Sequence, residues 1–114
     1  RQAEAPSDGA LPEAVARAIR LFERHYADPG FGVEALAKEC GYSRFHFSRL
    51  FRRHVGQSPQ DCLTATRLRQ AMARLSHDAA PVKAIAAACG FNDCSYFCRM
   101  FSRRYGVNPG ALRR

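Results

Sequence analysis

Within 114 residues the chain writes one pattern twice: CGYSRFHFSRLFRRHVGQSP over 40–59 and CGFNDCSYFCRMFSRRYGVNP over 89–109. Val33 to Tyr42 matches Val82 to Phe91 at an offset of 49, pairing Ala37 with Ala86, Cys40 with Cys89 and Gly41 with Gly90. One residue is then inserted in the second turn. From Phe47 the offset is 50, pairing Phe47 with Phe97, Arg49 with Arg99, Leu50 with Met100, Phe51 with Phe101, Arg53 with Arg103, Gly56 with Gly106 and Pro59 with Pro109. Two copies are too few for a solenoid and fit a twin module. A chain of this size that spends so many residues on duplication has little left for an elaborate catalytic cleft.

Each copy reads as two helices joined by a tight turn. Val33 begins a short helix running to about Cys40, with Leu36, Ala37 and Cys40 on one stripe. Gly41 supplies a left-handed closing residue and Ser43 a cap for a second helix, which runs to about Val55 and stops at Gly56. Phe47, Leu50 and Phe51, like Phe97, Met100 and Phe101, have the spacing of a core face. Two helices joined through such a turn make a helix-turn-helix. Ahead of the first copy, Pro12 opens a helix with Val15, Ile19, Phe22 and Tyr26 in register, ended by ADPG at 27–30. Between the copies, Pro59 to about Ser76 keeps helical periodicity through Leu63, Leu68, Ala71, Met72 and Leu75. Its 18 residues give a rod of roughly 27 Å. The expected division is therefore 1–11 linker or disordered segment, 12–58 first helix-turn-helix subdomain, 59–76 connecting helix and 77–114 second subdomain, an all-α architecture.

The charge supports a polyanion partner. Lys and Arg number 18 against 10 Asp and Glu, a net +8. Residues 44–54 hold four arginines and no acid, and residues 93–105 hold three arginines and one aspartate. The surplus thus recurs at the same place in both copies, as a nucleic-acid-binding face would have it. The first turns of each second helix, Arg44, Phe45, Ser48 and Arg49 in one copy and Cys94, Ser95, Tyr96, Cys98 and Arg99 in the other, point away from the core stripe. Arginine there can meet guanine bidentately, serine can use its hydroxyl, and Phe, Tyr or Cys can touch a thymine methyl. Ser43 and Arg44 at the helix start, with Arg52, Arg53 and His54 and with Arg103 and Arg104, suit phosphates.

Other chemistries find little support. The five cysteines, Cys40, Cys62, Cys89, Cys94 and Cys98, contain no CxxC pair and read as free thiols. His25, His46, His54 and His77 assemble with no Ser/His/Asp set, no HxxxH pair and no phosphate loop, so neither an enzyme, a metal site nor a cofactor is expected. Cys94 and Cys98, four apart on one helical face, leave open a cysteine-based metal or redox switch. A helical protein-interaction or RNA-binding module is the other open class. No apolar run reaches the ~18 residues of a membrane span and 1–11 lacks a signal-peptide layout, so no membrane partner and a cytoplasmic location are expected.

The pair LAKECGYSRFHFSRLFRRHVGQSP and IAAACGFNDCSYFCRMFSRRYGVNP, joined by a helix carrying TRLRQAMARL, resembles the DNA-binding domain of AraC/XylS-family bacterial transcription regulators. The likeness covers about residues 12 to 112. It implies about seven helices, with two homeodomain-like helix-turn-helix subdomains joined by the long central helix and recognition helices entering two successive major grooves of double-stranded DNA. Carried over by position, base contacts fall on Phe45, Ser48 and Arg49, and on Cys94, Ser95, Tyr96, Cys98 and Arg99. The family's second unit often has polar residues where this chain has Cys94 and Cys98. The resemblance further implies RNA polymerase as a partner at promoters, a nucleoid location, and an effector or dimerisation domain N-terminal to these residues. The more basic first copy is expected to carry more of the affinity.

Overall fold

The computed structural model describes residues 12–113, and the expected linker over 1–11 lies outside the described residues. Seven helices follow in order: α1 (Glu13–His25), α2 (Val33–Glu39), α3 (Arg44–Val55), α4 (Pro59–His77), α5 (Val82–Ala88), α6 (Cys94–Tyr105) and α7 (Pro109–Leu112). Among the described residues there is no strand. Pro12 stands one position outside α1, its ψ of 148° being extended rather than helical. The central helix runs to His77, 19 residues, one longer than its apolar pattern marks.

Local chemistry explains the boundaries. Ser58 accepts a hydrogen bond from the Asp61 amide at 3.1 Å and Pro59 occupies the first turn of α4, where its missing N–H costs nothing. The α2–α3 turn closes with Gly41 at φ 81°, while the Tyr42 amide donates to the Ala37 carbonyl at 2.9 Å. That six-to-one bond is a Schellman closure. Ser43 then caps α3 by accepting from the His46 amide at 3.1 Å. The second copy repeats the closure, with Gly90 at φ 95° and the Phe91 amide donating to Ala86 at 3.0 Å. Asn92 is the inserted residue. Asp93 takes the capping role, accepting from the Ser95 and Tyr96 amides at 2.8 and 3.3 Å. Its carboxylate meets the positive end of the helix macrodipole, which a serine hydroxyl does only weakly. At the far end, Asn108-Pro109 repeats Ser58-Pro59, so α7 stands where α4 begins in the first copy.

Two cores flank α4. Val15, Ala18, Phe22, Leu36, Ala37, Phe47, Phe51 and Leu63 form the first. Leu68, Ala71, Leu75, Ile85, Ala86, Cys89, Phe91, Phe97 and Phe101 form the second. The central helix therefore gives Leu63 to one unit and Leu68, Ala71 and Leu75 to the other, and Tyr26 packs against both. Leu50 and Met100, expected in the core, lie half-buried at its edges. Cys89 is fully buried, whereas its counterpart Cys40 is half-buried beside the exposed Arg17–Glu39 pair.

A buried arginine ties the units together. Arg67, only 9% exposed, donates from Nε to the Tyr26 carbonyl at 2.8 Å and from Nη2 to the Asp28 and Phe31 carbonyls at 3.0 and 3.2 Å. It pins the α1–α2 loop of the first unit to the central helix. The turn of the second unit abuts the same spot: a Cβ on Gly90 would lie 2.1 Å from the Tyr26 carbonyl oxygen and 2.7 Å from Arg67 Nε. Only a glycine fits between them. The Tyr26 hydroxyl adds a 3.3 Å bond to Gln70 of the central helix.

Candidate nucleic-acid interface

The helices α3 and α6 are 12 residues each and carry the expected site residues in equivalent positions. Phe47 and Phe51, like Phe97 and Phe101, are fully buried and anchor one face of each helix. On the outer face, Arg44, Phe45, Arg49, Ser95, Tyr96 and Arg99 are exposed. Phe45 is 76% exposed and Tyr96 38%. Further along, Arg52, Arg53, Arg103 and Arg104 are exposed and His54 is half-buried. Ser43 is exposed, with its hydroxyl already engaged in capping α3.

Two expected positions need correction. Ser48 and Cys98 do not point cleanly away from the core: both are half-buried, and Cys98 packs against the second core cluster. At 100° per residue, the position one after the buried Phe and three before the next lies at the border of the core stripe. Cys94 is likewise half-buried. Burial first, then the charge and hydrogen bond of Cys94, pushes the Cys98 thiol above its ordinary value, so it is protonated at neutral pH. The charge of the second outer face therefore rests on its arginines.

Pairing separates the basic residues into two groups. Among the described residues the ion pairs are Arg17–Glu39 at 2.9 Å, Arg20–Glu13 at 3.0 Å and Arg69–Glu23 at 2.8 Å, all on α1, α2 and α4. None uses an arginine of α3 or α6. The Arg99 guanidinium instead lies over the Tyr96 ring at 5.7 Å, held at the helix surface by a cation–π contact. Both outer faces thus present cations without internal counter-charges, beside an aromatic ring. Sequence reasoning missed Arg67 and Gly90 as the residues that orient these faces. Gly90 carried a signal only as a turn closer, and nothing in TRLRQ distinguishes Arg67 from the exposed Arg69.

Among the described residues no group of three or more His, Cys, Asp or Glu side chains could hold a metal ion, and no helix is long and apolar enough to cross a membrane. A family model described as a helix-turn-helix domain matches residues 36–114. A probable AraC family transcriptional regulator from Rhodopseudomonas palustris superposes with a TM-score of 0.79 and 29% identity, over 90% of this chain and 95% of that one.

The chain belongs to the AraC/XylS family.

This AraC-type domain is 34% identical over 95 residues to the transcriptional activator RhaS of Escherichia fergusonii, covering 83% of this chain and 34% of RhaS. It also superposes on the DNA-binding domain of AdpA, a global transcriptional factor solved in complex with a target DNA, with a TM-score of 0.83 and 30% identity over 90% of this chain and 91% of that one. The chain spans 28%, 32% and 34% of the first three curated relatives it matches, all of them regulators. It is a helix-turn-helix DNA-binding domain of the AraC type, the kind carried by transcription regulators.

Proposed function

We propose that the AraC-type domain reads one face of duplex DNA with α3 and α6 in two successive major grooves. One observation carries this reading: two equivalent helices expose arginines without internal counter-charges, and a buried lock fixes one helix relative to the other. The 19-residue α4 spans about 28 Å, close to the ~34 Å between adjacent grooves on one face. In this reading Phe45 and Arg49 meet base edges in one groove, and Cys94, Ser95, Tyr96 and Arg99 in the other, with half-buried Ser48 and Cys98 each contributing an outer edge. Arg44, Arg52, Arg53, His54, Arg103 and Arg104 hold phosphates, as does Ser43 through whatever its cap leaves free. The Phe45 ring gains by covering a thymine methyl, since it is otherwise left in water. The more basic α3 unit supplies more of the affinity.

In the full-length regulator this domain follows an effector-sensing or dimerisation domain and positions RNA polymerase at promoters in the cytoplasm. The match to about a third of each relative's length supports the presence of a further domain in the full-length regulator.

Selection of bound duplexes from a random pool tests the reading. Two half-sites about 10–10.5 base pairs apart, centre to centre, are expected. A single half-site would show that one unit does not read bases, and a preference for structured RNA at fixed salt would remove the DNA reading altogether. Arg49→Ala should cost about 1–3 kcal/mol on the selected site and relax the choice at one base pair. Arg53→Ala should instead weaken binding to every sequence and lower the salt slope by roughly one. Equal losses for Arg49→Ala on selected and random DNA would disprove its base-reading role.

A further inference from the structure

We propose that Cys94 and Cys98 form a two-thiolate site for a soft monovalent metal ion of the Cu(I) type, set at the border between the core and the outer face of the second recognition helix. The two residues lie one helical turn apart, which brings their side chains to the same face. Both are half-buried and neither is in a disulfide. The neighbouring Asp93 carboxylate spends its Oδ1 on the Ser95 and Tyr96 amides that it caps. What remains is a pair of sulfurs with no third donor: among the described residues no larger donor cluster exists anywhere. Zinc needs four ligands and is not served. Soft thiolate ligands select Cu(I), and that ion is satisfied by two of them in a near-linear arrangement.

The first unit has Arg44 and Ser48 at the equivalent positions, so the thiol pair is peculiar to the second reading helix. Binding breaks two S–H bonds and forms two S–Cu bonds, releasing two protons. Two neutral thiols and one cation thus become a bis-thiolate complex of net charge −1. That negative charge appears beside Arg99 on a face that would approach phosphates, so an occupied site opposes docking of α6 while leaving α3 untouched. Metal uptake itself does not depend on the two-groove reading. The effect on DNA does rest on it.

Anaerobic titration with Cu(I) alone, against the competing chelator bicinchoninate, tests the site in the protein as it exists. One tightly held Cu(I) per chain is expected, lost in Cys94→Ser and in Cys98→Ser and kept in Cys62→Ser. Uptake unaffected by either recognition-helix substitution would overturn the proposal. In a second arm, Cu(I) should weaken binding to a duplex carrying both half-sites by roughly tenfold or more, with no change on a duplex carrying the first half-site alone and none in Cys94→Ser. Copper bound to the pair with undiminished two-site affinity would overturn the regulatory part. Absence of any two-half-site duplex would instead count against the DNA reading, and the metal titration would still stand by itself.

Discussion

Gly90→Ala should lower the stability of the domain by about 3 kcal/mol or more, whereas Gly41→Ala, the same substitution at the matching turn of the first unit, should cost about 1–2 kcal/mol. Both glycines have positive φ, 95° and 81°, and both substitutions carry the left-handed penalty of a side chain. They differ in what the new methyl group meets. At Gly41 nothing lies within 4 Å. At Gly90 the methyl would sit 2.1 Å from a backbone oxygen of the other unit, which no rotamer change can relieve. The second unit must then swing away or the α1–α2 loop must yield. On DNA, Gly90→Ala is expected to bind a two-half-site duplex little better than a single half-site, while Gly41→Ala, refolded, keeps the two-site advantage. Urea unfolding and binding to the two duplexes measure both. Indistinguishable behaviour of the two variants would show that contact between the units carries no weight.

Arg67→Met should cost about 3–5 kcal/mol, against 1 kcal/mol or less (roughly) for Arg69→Met two residues along. Methionine keeps most of the stem of Arg67 but removes the donors that satisfy the Tyr26, Asp28 and Phe31 carbonyls. Desolvation lowers the guanidinium's pKa and is countered only in part by the nearby Asp28 carboxylate, and truncation leaves the three carbonyl acceptors behind rather than simply relieving a cost. Arg69 by contrast pairs with Glu23 where both side chains are 48% exposed, a geometry that stabilises little. Arg67→Lys should not rescue, because one ammonium cannot span three carbonyls from two sides. Equal midpoints in urea for the Arg67 and Arg69 variants would refute the lock.

The helices, their turns and the two Phe pairs were legible because their causes are local. Gly41 and Ser43 announce a closure and a cap, and Phe47 and Phe51 announce a buried face. Cap identity in the second copy is harder to see: its turn holds one residue more than the first, and in the structure that residue is Asn92, with Asp93 in the place of Ser43. Arg67 was illegible for a different reason. Its three acceptors come from residues 26, 28 and 31, some forty positions earlier, and no local pattern encodes a meeting at that range. Cys98 is more buried than its helical position suggests, because periodicity divides a helix into faces while burial at the border depends on how far the Phe91 and Phe97 rings extend the core. The DNA-facing assignments rest on exposure and unpaired charge, which a sequence shows only as composition.

The lock formed by Arg67, Tyr26 and Gly90 has a consequence best put as an effective concentration. In the proposed two-groove reading, once α3 has docked, a flexible tether would let α6 search a volume, with a local concentration in the millimolar range. A fixed frame confines α6 almost to one position, so the second docking loses little further freedom when the spacing of the half-sites matches. The same stiffness is unforgiving when it does not. One extra base pair between half-sites moves the second groove by about 3.4 Å and turns it by about a tenth of a revolution. On that proposal a rigid domain would forfeit the whole second contact, and distance would become part of what it reads.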